Sequence, residues 1–374
     1  MQSLLNTAFS LKHTSYWVLI IWWIGSCPIL KLFPREQLLI QGRVNRHRYA
    51  PAAMLLLLPY ILWAGFRGDF ADTGTYIQHF QNMPSTLSAL PDVAASYGDW
   101  GFYCLMVVLK SLGVQSHETF FLILAAFHVW CMVYTFRRYA SDLWISFFLF
   151  IASTDYMSWM HNGIRQFTAV CITFAAFDLL VRKKYLSFVL VTLVASAFHG
   201  SALLMLPFAC VMVGPALNWK SLLLLGGAVL MLPLADRLTP VLGWLLSGTR
   251  YRSMVSGELW AKDDGTNLLR VLVYSVPALV SLMGWRYIRG SRNRAVNLCV
   301  NASLVTTGVY LVSAVTSGIY IGRIPIYTTL HGYMVLPWLI DQVFEARSAQ
   351  MLKVLLVVFY LAFFRIQMGR WALI

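Results

Sequence analysis

Arginine, aspartate and tyrosine residues occur together where one long apolar stretch ends. Side chains of these types can take part in proton transfer and anion binding. The residues are Arg67, Asp69, Asp72 and Tyr76 in the segment GFRGDFADTGTY. If the stretch after Asp72 is helical, Asp72 and Tyr76 share one face of that helix at i, i+4. A carboxylate can take a proton from a reacting hydroxyl, and a guanidinium binds phosphate oxygens. The plainer alternative is an aspartate that caps a helix beside a solvated arginine.

A second group lies in the segment MHNGIRQF, between two apolar stretches. We predict that Asn162 is the N-cap of a helix whose first turn contains Arg165 and Gln166. A cation at a helix N-terminus opposes the helix dipole. An arginine in this place is favourable when an anion binds both to it and to the free backbone N–H groups. The alternative is an arginine that reaches the phosphates of lipid headgroups.

Two further apolar stretches begin or end at a histidine or an arginine. His199 in AFHGSALL could act as a base or orient a phosphate, although a single histidine is more often a hydrogen-bonded core residue. Arg323 precedes Pro325 and Tyr327 in IGRIPIYTT. Because proline suits the first turn of a helix, we predict a second arginine at a helix start.

Arg250 and Arg252 form the last basic group, in SGTRYRSM, where a solvated loop explains them equally well. The chain contains no HExxH motif, no DxD pair and no Gly-rich nucleotide loop, so we predict neither a metal nor a cofactor. Several arginines with one or two bases suit a metal-free site for a lipid-linked diphosphate. There the arginines would stabilise the negative charge that Mg²⁺ usually neutralises.

The composition shows what kind of molecule must position these residues. The 374 residues are 59% apolar and only 12% charged, with a net charge of +14, whereas globular chains are about 25% charged. Lipid must therefore solvate much of the surface. The basic residues lie in short loops between apolar runs, which argues against nucleic-acid binding. We predict an all-α polytopic integral membrane protein, with residues 1–374 as a single membrane domain.

About twelve apolar runs are long enough to cross the roughly 30 Å of membrane hydrocarbon. They are residues 14–33, 49–66, 119–136, 142–160, 163–181, 186–200, 201–217, 220–237, 268–285, 296–317, 323–342 and 351–367. The apolar segment 100–114 contains Lys110, and we interpret it as an outer helix lying in the interface or as a shallow re-entrant element. A second long outer loop is predicted at 238–267.

The orientation follows from the loops, because cytoplasmic loops carry an excess of Lys and Arg. With the N-terminus outside, alternating spans place most of the 29 Lys and Arg residues inside. Counting 100–114 as a span would instead move Arg137, Arg138 and the basic cluster 182–184 outside. The candidate groups then all lie at the outer face near headgroup depth, where ionisable residues are functional candidates by default.

The same residues make the sequence similar to the EpsG-like branch of the Wzy-type polysaccharide polymerases, which are integral membrane proteins of the bacterial cell envelope. The resemblance covers about residues 60–340. The Asn-x-x-Arg-Gln element, followed about 35 residues later by Phe-His-x-Ser-Ala, is its more specific part. The matching residues are Arg67, Asp72, Tyr76, Asn162, Arg165, Gln166, Phe198, His199, Ser201, Ala202, Leu203, Arg323, Tyr327, Leu336 and Pro337.

The resemblance implies a polymerase of O-antigen, capsule or exopolysaccharide repeat units with a GT-C-like architecture. A growing glycan on undecaprenyl diphosphate would pass en bloc to a lipid-linked repeat unit at the periplasmic face of the inner membrane. Asp72 or His199 would be the base, and Arg165 and Arg323 would stabilise the leaving diphosphate. A chain-length regulator protein is a candidate partner. The residues expected to bind diphosphate or glycan are Arg67, Asn162, Gln166, Tyr76, Arg250 and Tyr327.

Two other functions stay open. One is an O-antigen ligase, or a glycosyltransferase that uses a polyprenyl-phosphate sugar, and either would use the same outward-facing arginines. The other is a flippase or another transporter of lipid-linked oligosaccharide. Transporters typically place ionisable residues near the membrane midplane and often contain repeats. Here the charged groups lie at the outer face and no repeat is visible in the sequence.

Overall fold

Helices form all the regular structure of the described residues, which agrees with the all-α prediction. The chain divides into two compact units, Met1–Leu206 with Gln350–Ile374, and Pro207–Ala349. A single membrane domain over 1–374 stays a prediction. The computed structural model describes residues 13–32, 50–68, 70–234 and 265–370.

The first unit is built from short and medium helices. In chain order they are α1 (His13–Gly25), α2 (Cys27–Leu32), α3 (Ala50–Leu56), α4 (Leu58–Gly65), α5 (Thr73–Asn82), α6 (Leu90–Ser96), α7 (Trp100–Ser111), α8 (His117–Tyr139), α9 (Leu143–Ala152), α10 (Asp155–His161), α11 (Ile164–Ala175), α12 (Phe177–Val181) and α13 (Tyr185–Phe198). A 3₁₀ turn, Gly200–Leu204, follows α13.

The remaining helices begin at the boundary between the units. They are α14 (Met205–Met212), α15 (Trp219–Met231), α16 (Leu268–Met283), α17 (Trp285–Ile288), α18 (Arg294–Ala314), α19 (Ile326–Val343) and α20 (Ala346–Arg370). From Gln350 onward α20 belongs to the first unit.

The predicted membrane spans coincide with these helices, each span matching one helix or two consecutive short ones in the described part of the chain. Four helical stretches are long and apolar enough to cross a membrane: His117–Tyr139, Ile164–Val181, Arg294–Ala314 and Ala346–Gly369. These stretches indicate a membrane protein. The total of about twelve spans and the GT-C-like architecture stay predictions.

The predicted outer helix is α7, and its single charge has a structural partner. Twelve residues of helix extend only about 18 Å, which is shorter than the roughly 30 Å of membrane hydrocarbon. Lys110 Nζ donates to the carbonyl oxygens of Phe80 and Gln81 at 3.1 Å each, and also to that of Met83. The lysine therefore satisfies carbonyls at the C-terminal end of α5, where a helix leaves them without partners.

A buried aromatic cluster joins α5, α7 and α8. The rings of Phe80 and Phe120 stack with centroids 4.9 Å apart, and Phe102 meets Phe120 edge-on at 5.9 Å. The same cluster includes Tyr76 and Ile164. Because fully burying such a side chain stabilises a fold by about 1.5–3 kcal/mol, this cluster fixes α5 and α7 beside the start of α11.

Close contact between α7 and α13 depends on Gly101. A Cβ atom at this position would lie 2.9 Å from the Ala197 Cβ atom and 3.0 Å from the Ala197 carbonyl carbon and oxygen. These distances are shorter than ordinary van der Waals contact. Glycine therefore lets the two backbones approach as they do.

Asp178 joins α8 to α12 at the end of the unit that we predict to be cytoplasmic. Its Oδ2 atom lies 2.7 Å from Arg182 Nε, and its Oδ1 atom lies 3.5 Å from Arg138 Nη1. The Tyr139 hydroxyl also donates to Oδ1. One carboxylate thus connects two of the arginines that indicated the orientation.

The second unit is organised around α18, which packs against α15, α16 and α19. Asn301, in the middle of α18, is fully buried. Its Nδ2 atom donates to the carbonyl oxygens of Met212 and Pro215 at 2.9 Å each. Its Oδ1 atom accepts from Ser221 Oγ at 3.2 Å. From inside the helix bundle, this asparagine therefore provides hydrogen-bond partners for backbone carbonyls at the turn between α14 and α15.

Candidate functional site

Arg67 is buried just after α4 and connects two turns of the first unit. Its Nε atom donates to the Ala64 carbonyl oxygen at 2.6 Å, and Nη1 donates to the Met160 carbonyl oxygen. The guanidinium carbon lies 4.1 Å from the centre of the Phe121 ring, a cation–π distance. Burial lowers the pKa of Arg67 to about 9, so the side chain stays charged at neutral pH.

Asp72 lies at the N-cap position of α5, and the predicted helix after it is present. Its side chain is exposed and makes no capping hydrogen bond, so its carboxylate does not serve as a cap. Tyr76, one turn later, is 4% exposed and its hydroxyl hydrogen-bonds with Arg165. Burial raises the pKa of Tyr76 despite the neighbouring Arg165, so the phenol stays protonated.

The start of α11 differs in one respect from the prediction. Asn162 is not the N-cap of this helix, because it ends α10 instead, where its N–H donates to the Ser158 carbonyl oxygen at 2.7 Å. Gly163 takes the N-cap position with φ +90°, a left-handed conformation that glycine adopts without strain. Arg165 and Gln166 lie in the first turn of α11, as predicted.

Arg165 is held by an aspartate that the motifs did not indicate. Its Nη1 atom lies 2.7 Å from Asp99 Oδ2, and about a third of the Arg165 side chain is exposed. The guanidinium carbon lies 5.8 Å from the centre of the Tyr103 ring. Asp99, immediately before α7, thus supplies a negative charge at the N-terminus of α11, where the sequence predicted an anion.

Gln166 and His199 are connected through one serine. Gln166 Nε2 donates to Ser201 Oγ at 3.4 Å, and Ser201 Oγ lies 2.6 Å from His199 Nδ1. The Ser201 backbone N–H also donates to His199 Nδ1 at 3.4 Å. Because a backbone N–H can only donate, Nδ1 is the acceptor and the proton of the neutral ring lies on Nε2. The two most specific sequence motifs therefore meet in one hydrogen-bond chain.

Several buried polar atoms on or beside these residues have no hydrogen-bond partner. Five such atoms are Arg67 Nη2, Thr73 Oγ1, Trp159 Nε1, His161 Nε2 and Arg165 Nε. Buried polar groups are nearly always hydrogen-bonded, and such exceptions mark strain, function or a bound group. Three of these atoms are N–H groups of Arg or Trp, which can only donate, so this region can accept a ligand rich in acceptor oxygens.

Three aromatic rings lie beside the Arg165–Asp99 pair. Tyr97 and Tyr103 stack with ring centroids 4.0 Å apart. His79, on α5, meets Tyr103 edge-on at 5.2 Å and Tyr97 at 6.2 Å. Burial and the positive charge of Arg165 lower the pKa of His79, which keeps its ring neutral at physiological pH.

Arg323 and Tyr327 belong to the second unit. Arg323 ends a short 3₁₀ turn, Ile321–Arg323, and Pro325 is the N-cap of α19 and not part of its first turn. Tyr327 is 1% exposed. The start of a helix near Arg323 was predicted correctly.

Other predicted site residues lie outside the described residues. These are Arg250 and Arg252 in the predicted long outer loop, together with Asp69.

Sequence reasoning missed Asp99, His79, Tyr97 and Tyr103. The available signal was the interpretation of 100–114 as an outer helix, which placed the start of this segment on the same face as Arg165. A search of that start for a charge complementary to Arg165 would have found Asp99. Sequence offers no comparable signal for the stacked rings, which depend on how α5 and α7 pack.

In the first unit, Arg67 and Arg165 provide N–H donors, and two carboxylates lie near them: Asp99, which pairs with Arg165, and the exposed Asp72. Within the described ranges, no group of three or more His, Cys, Asp or Glu side chains is placed to hold a metal ion. The arrangement can bind an anion through Arg165 and offers the exposed Asp72 carboxylate as a proton acceptor.

A family model described as EpsG family matches residues 52–369. No curated protein and no solved structure matches the chain.

Proposed function

Because the chain belongs to the EpsG family, a family of glycosyltransferase-like polysaccharide polymerases, we propose that it joins lipid-linked oligosaccharide repeat units into a polymer. The donor is a growing glycan on undecaprenyl diphosphate, and the acceptor is a lipid-linked repeat unit. The whole glycan moves en bloc at the periplasmic face of the inner membrane. The product is O-antigen, capsule or exopolysaccharide.

The reaction is a displacement at the anomeric carbon of the donor glycan. An acceptor hydroxyl oxygen forms the new bond to this carbon while its proton passes to a base on the protein. The bond between the anomeric carbon and the diphosphate oxygen breaks, and undecaprenyl diphosphate leaves with the electron pair. A single displacement inverts the configuration of the carbon.

Arg165 carries this proposal. It lies in the first turn of α11, it is partly exposed, and its Nε atom is buried without a hydrogen-bond partner. A diphosphate that binds here gains the guanidinium and the N-terminal N–H groups of α11. Donors aimed at developing negative charge typically contribute about 3–4 kcal/mol to the transition state.

Asp72 is the better of the two candidate bases. His199 accepts hydrogen bonds at Nδ1, so its neutral ring presents an N–H at Nε2 and has no free lone pair for an acceptor proton. Asp72 is exposed and makes no capping bond. We therefore assign proton acceptance to Asp72 and hydrogen-bond donation, to phosphate or sugar oxygen, to His199.

The remaining predicted residues have supporting roles in this proposal. Arg67 bonds two backbone carbonyls, so it acts as a positioning residue whose Nη2 amino group stays available to a ligand. Gln166 orients Ser201 and thereby His199. Asn162 is proposed to bind substrate beside Arg165. Arg323 and Tyr327 belong to the second unit, and their binding roles stay predictions.

The experiment replaces Arg165 in cells that lack the gene and follows the polysaccharide ladder on a gel. We expect Arg165→Ala to lower polymer formation by about 100-fold or more, with the loss in kcat when purified protein is given lipid-linked units. Arg347→Ala is the matched control, because Arg347 is also the second residue of its helix, α20, but is exposed. It should polymerise normally.

The same gel separates the alternatives. Cells without the gene should attach single repeat units to lipid A if the product is O-antigen. Polymer that forms but stays off lipid A would identify a ligase, and repeat units retained on the cytoplasmic side would identify a flippase. Full polymer length in Arg165→Ala would refute the diphosphate role of Arg165.

A further inference from the structure

We propose that Tyr97, His79 and Asp99 form a subsite for the sugar joined directly to the diphosphate. This inference rests on the proposed function, because it places the sugar relative to a diphosphate held by Arg165. It assigns a role to three residues that the proposed reaction does not use.

The ring geometry provides a surface for a sugar. Tyr97 stacks on Tyr103 with ring centroids 4.0 Å apart and ring planes at 25°, and Tyr103 is 4% exposed. Tyr103 therefore supports Tyr97 from below, while Tyr97 is only half-buried and keeps part of its ring available. His79, also half-buried, approaches Tyr97 edge-on at 6.2 Å and forms a side wall.

Polar groups lie at the border of these rings, as a sugar requires. Asp99 carries two carboxylate oxygens beside Tyr103, and its side chain is 18% exposed. Oδ2 is used by Arg165 at 2.7 Å, and a carboxylate has further lone pairs that accept hydrogen bonds from hydroxyl groups. A sugar presents apolar C–H groups on its ring face and hydroxyl groups at its edge. The first suit an electron-rich aromatic face, and the second suit Asp99.

The position of the rings defines which sugar binds. Arg165 lies 5.8 Å from the centre of the Tyr103 ring, and its charge affects the pKa of His79. A diphosphate on Arg165 therefore lies directly beside the three rings. The sugar that lies nearest to these rings is therefore the one bonded to the diphosphate.

Aromatic residues also occur at membrane interfaces as anchors in the lipid, and the structure distinguishes the two roles. Trp100, 48% exposed, has the exposure of an anchor. Tyr97 instead meets His79 and stacks on Tyr103, and both of these neighbours lie near Arg165. Rings grouped around an ion pair suit a polar ligand with apolar faces better than lipid chains.

The test measures binding of two probes to purified full-length protein in detergent. The probes are undecaprenyl diphosphate and the lipid-linked repeat unit isolated from cells that lack the gene. Tyr97→Leu should weaken binding of the repeat unit about fivefold to tenfold and leave binding of undecaprenyl diphosphate unchanged. Tyr97→Phe keeps the ring and should bind both probes as the wild type does.

The outcomes separate this inference from the proposed function. Equal binding of the repeat unit by Tyr97→Leu and wild type, or equal weakening of both probes in a folded variant, would overturn the sugar subsite. Arg165→Ala should weaken both probes, and unchanged binding there would overturn the diphosphate site instead. If Tyr97→Leu binds neither probe because it does not fold, His79→Leu carries the same expectation and decides the matter.

Discussion

A methyl group at Gly101 tests whether the contact between α7 and α13 positions the site. In Gly101→Ala, the new Cβ would lie 2.9 Å from the Ala197 Cβ atom and 3.0 Å from the Ala197 carbonyl. Two of these three neighbours are backbone atoms, which cannot rotate away. The helices must therefore separate by about 0.5 Å to restore ordinary contact.

Two opposing effects determine how much Gly101→Ala changes the free energy of unfolding. Alanine stabilises a helix interior by about 0.5–1 kcal/mol relative to glycine, whereas overpacking a close contact costs about 1–3 kcal/mol. We expect a net loss of about 1 kcal/mol in the free energy of unfolding. Asp99 immediately precedes α7, so the separation also disturbs its 2.7 Å pair with Arg165. Since a 1 Å misplacement can cost about 100-fold in rate, we expect polymerisation to fall about 10-fold.

The assays are thermal unfolding of the purified protein in detergent and the polymer ladder in complemented cells. Gly226→Ala is the matched control, because Gly226 lies inside α15 with no atom within 4 Å of the added Cβ. It should unfold at an equal or higher temperature and polymerise normally. If Gly101→Ala behaved like this control in both assays, the close contact would have no part in positioning Asp99.

Two other substitutions test single hydrogen bonds. Tyr76→Phe removes the hydroxyl that bonds Arg165, and we expect a loss of polymerisation of about 10-fold. Because the pKa of Tyr76 is raised, its neutral form persists, so the wild-type activity should show no basic limb from this residue between pH 7 and 9. Asn301→Ala leaves the carbonyls of Met212 and Pro215 unpaired, which should lower the stability of the protein in detergent by about 1–3 kcal/mol.

A specific experimental result would contradict each of these predictions. A basic limb in the wild-type pH profile that disappears in Tyr76→Phe would show that this phenol ionises. For Asn301, the control is Ser303→Ala, because Ser303 Oγ bonds only to the Val300 carbonyl of its own turn. Equal unfolding temperatures for Asn301→Ala and Ser303→Ala would show that the asparagine does not hold the turn.

Sequence patterns predicted the helices of the apolar runs and the first turn of α11. Apolar runs predict helices because apolar length and composition determine what lipid can solvate. The first turn of α11 was predicted correctly because a polar turn precedes an apolar run. The N-cap was assigned to Asn162 wrongly, because α10 continues to His161 and uses Asn162 at its own end. Which of two adjacent turn residues starts a helix depends on where the previous helix stops.

Sequence patterns could not predict contacts between residues that lie far apart in the chain. Asp99 and Arg165 are separated by 66 residues, and their pairing depends on how α7 packs beside α11. Arg67 shows the same limit, since its type and position suggested a ligand contact but its neighbours in the fold are backbone carbonyls. The Gln166–Ser201–His199 chain connects two motifs that sequence could associate only by resemblance.

The Asp178 carboxylate changes what two arginines do between membrane insertion and the folded state. During insertion, Lys and Arg near span ends bias the orientation, and acidic residues contribute little, so Arg138 and Arg182 act at full strength. In the fold, both arginines share the single Asp178 carboxylate, so about half of their combined charge is neutralised and less remains for anionic headgroups. In the predicted orientation, charge that would orient the nascent chain thereby connects α8 to α12, and the folded protein attracts anionic lipid less at this end than its basic residues would imply.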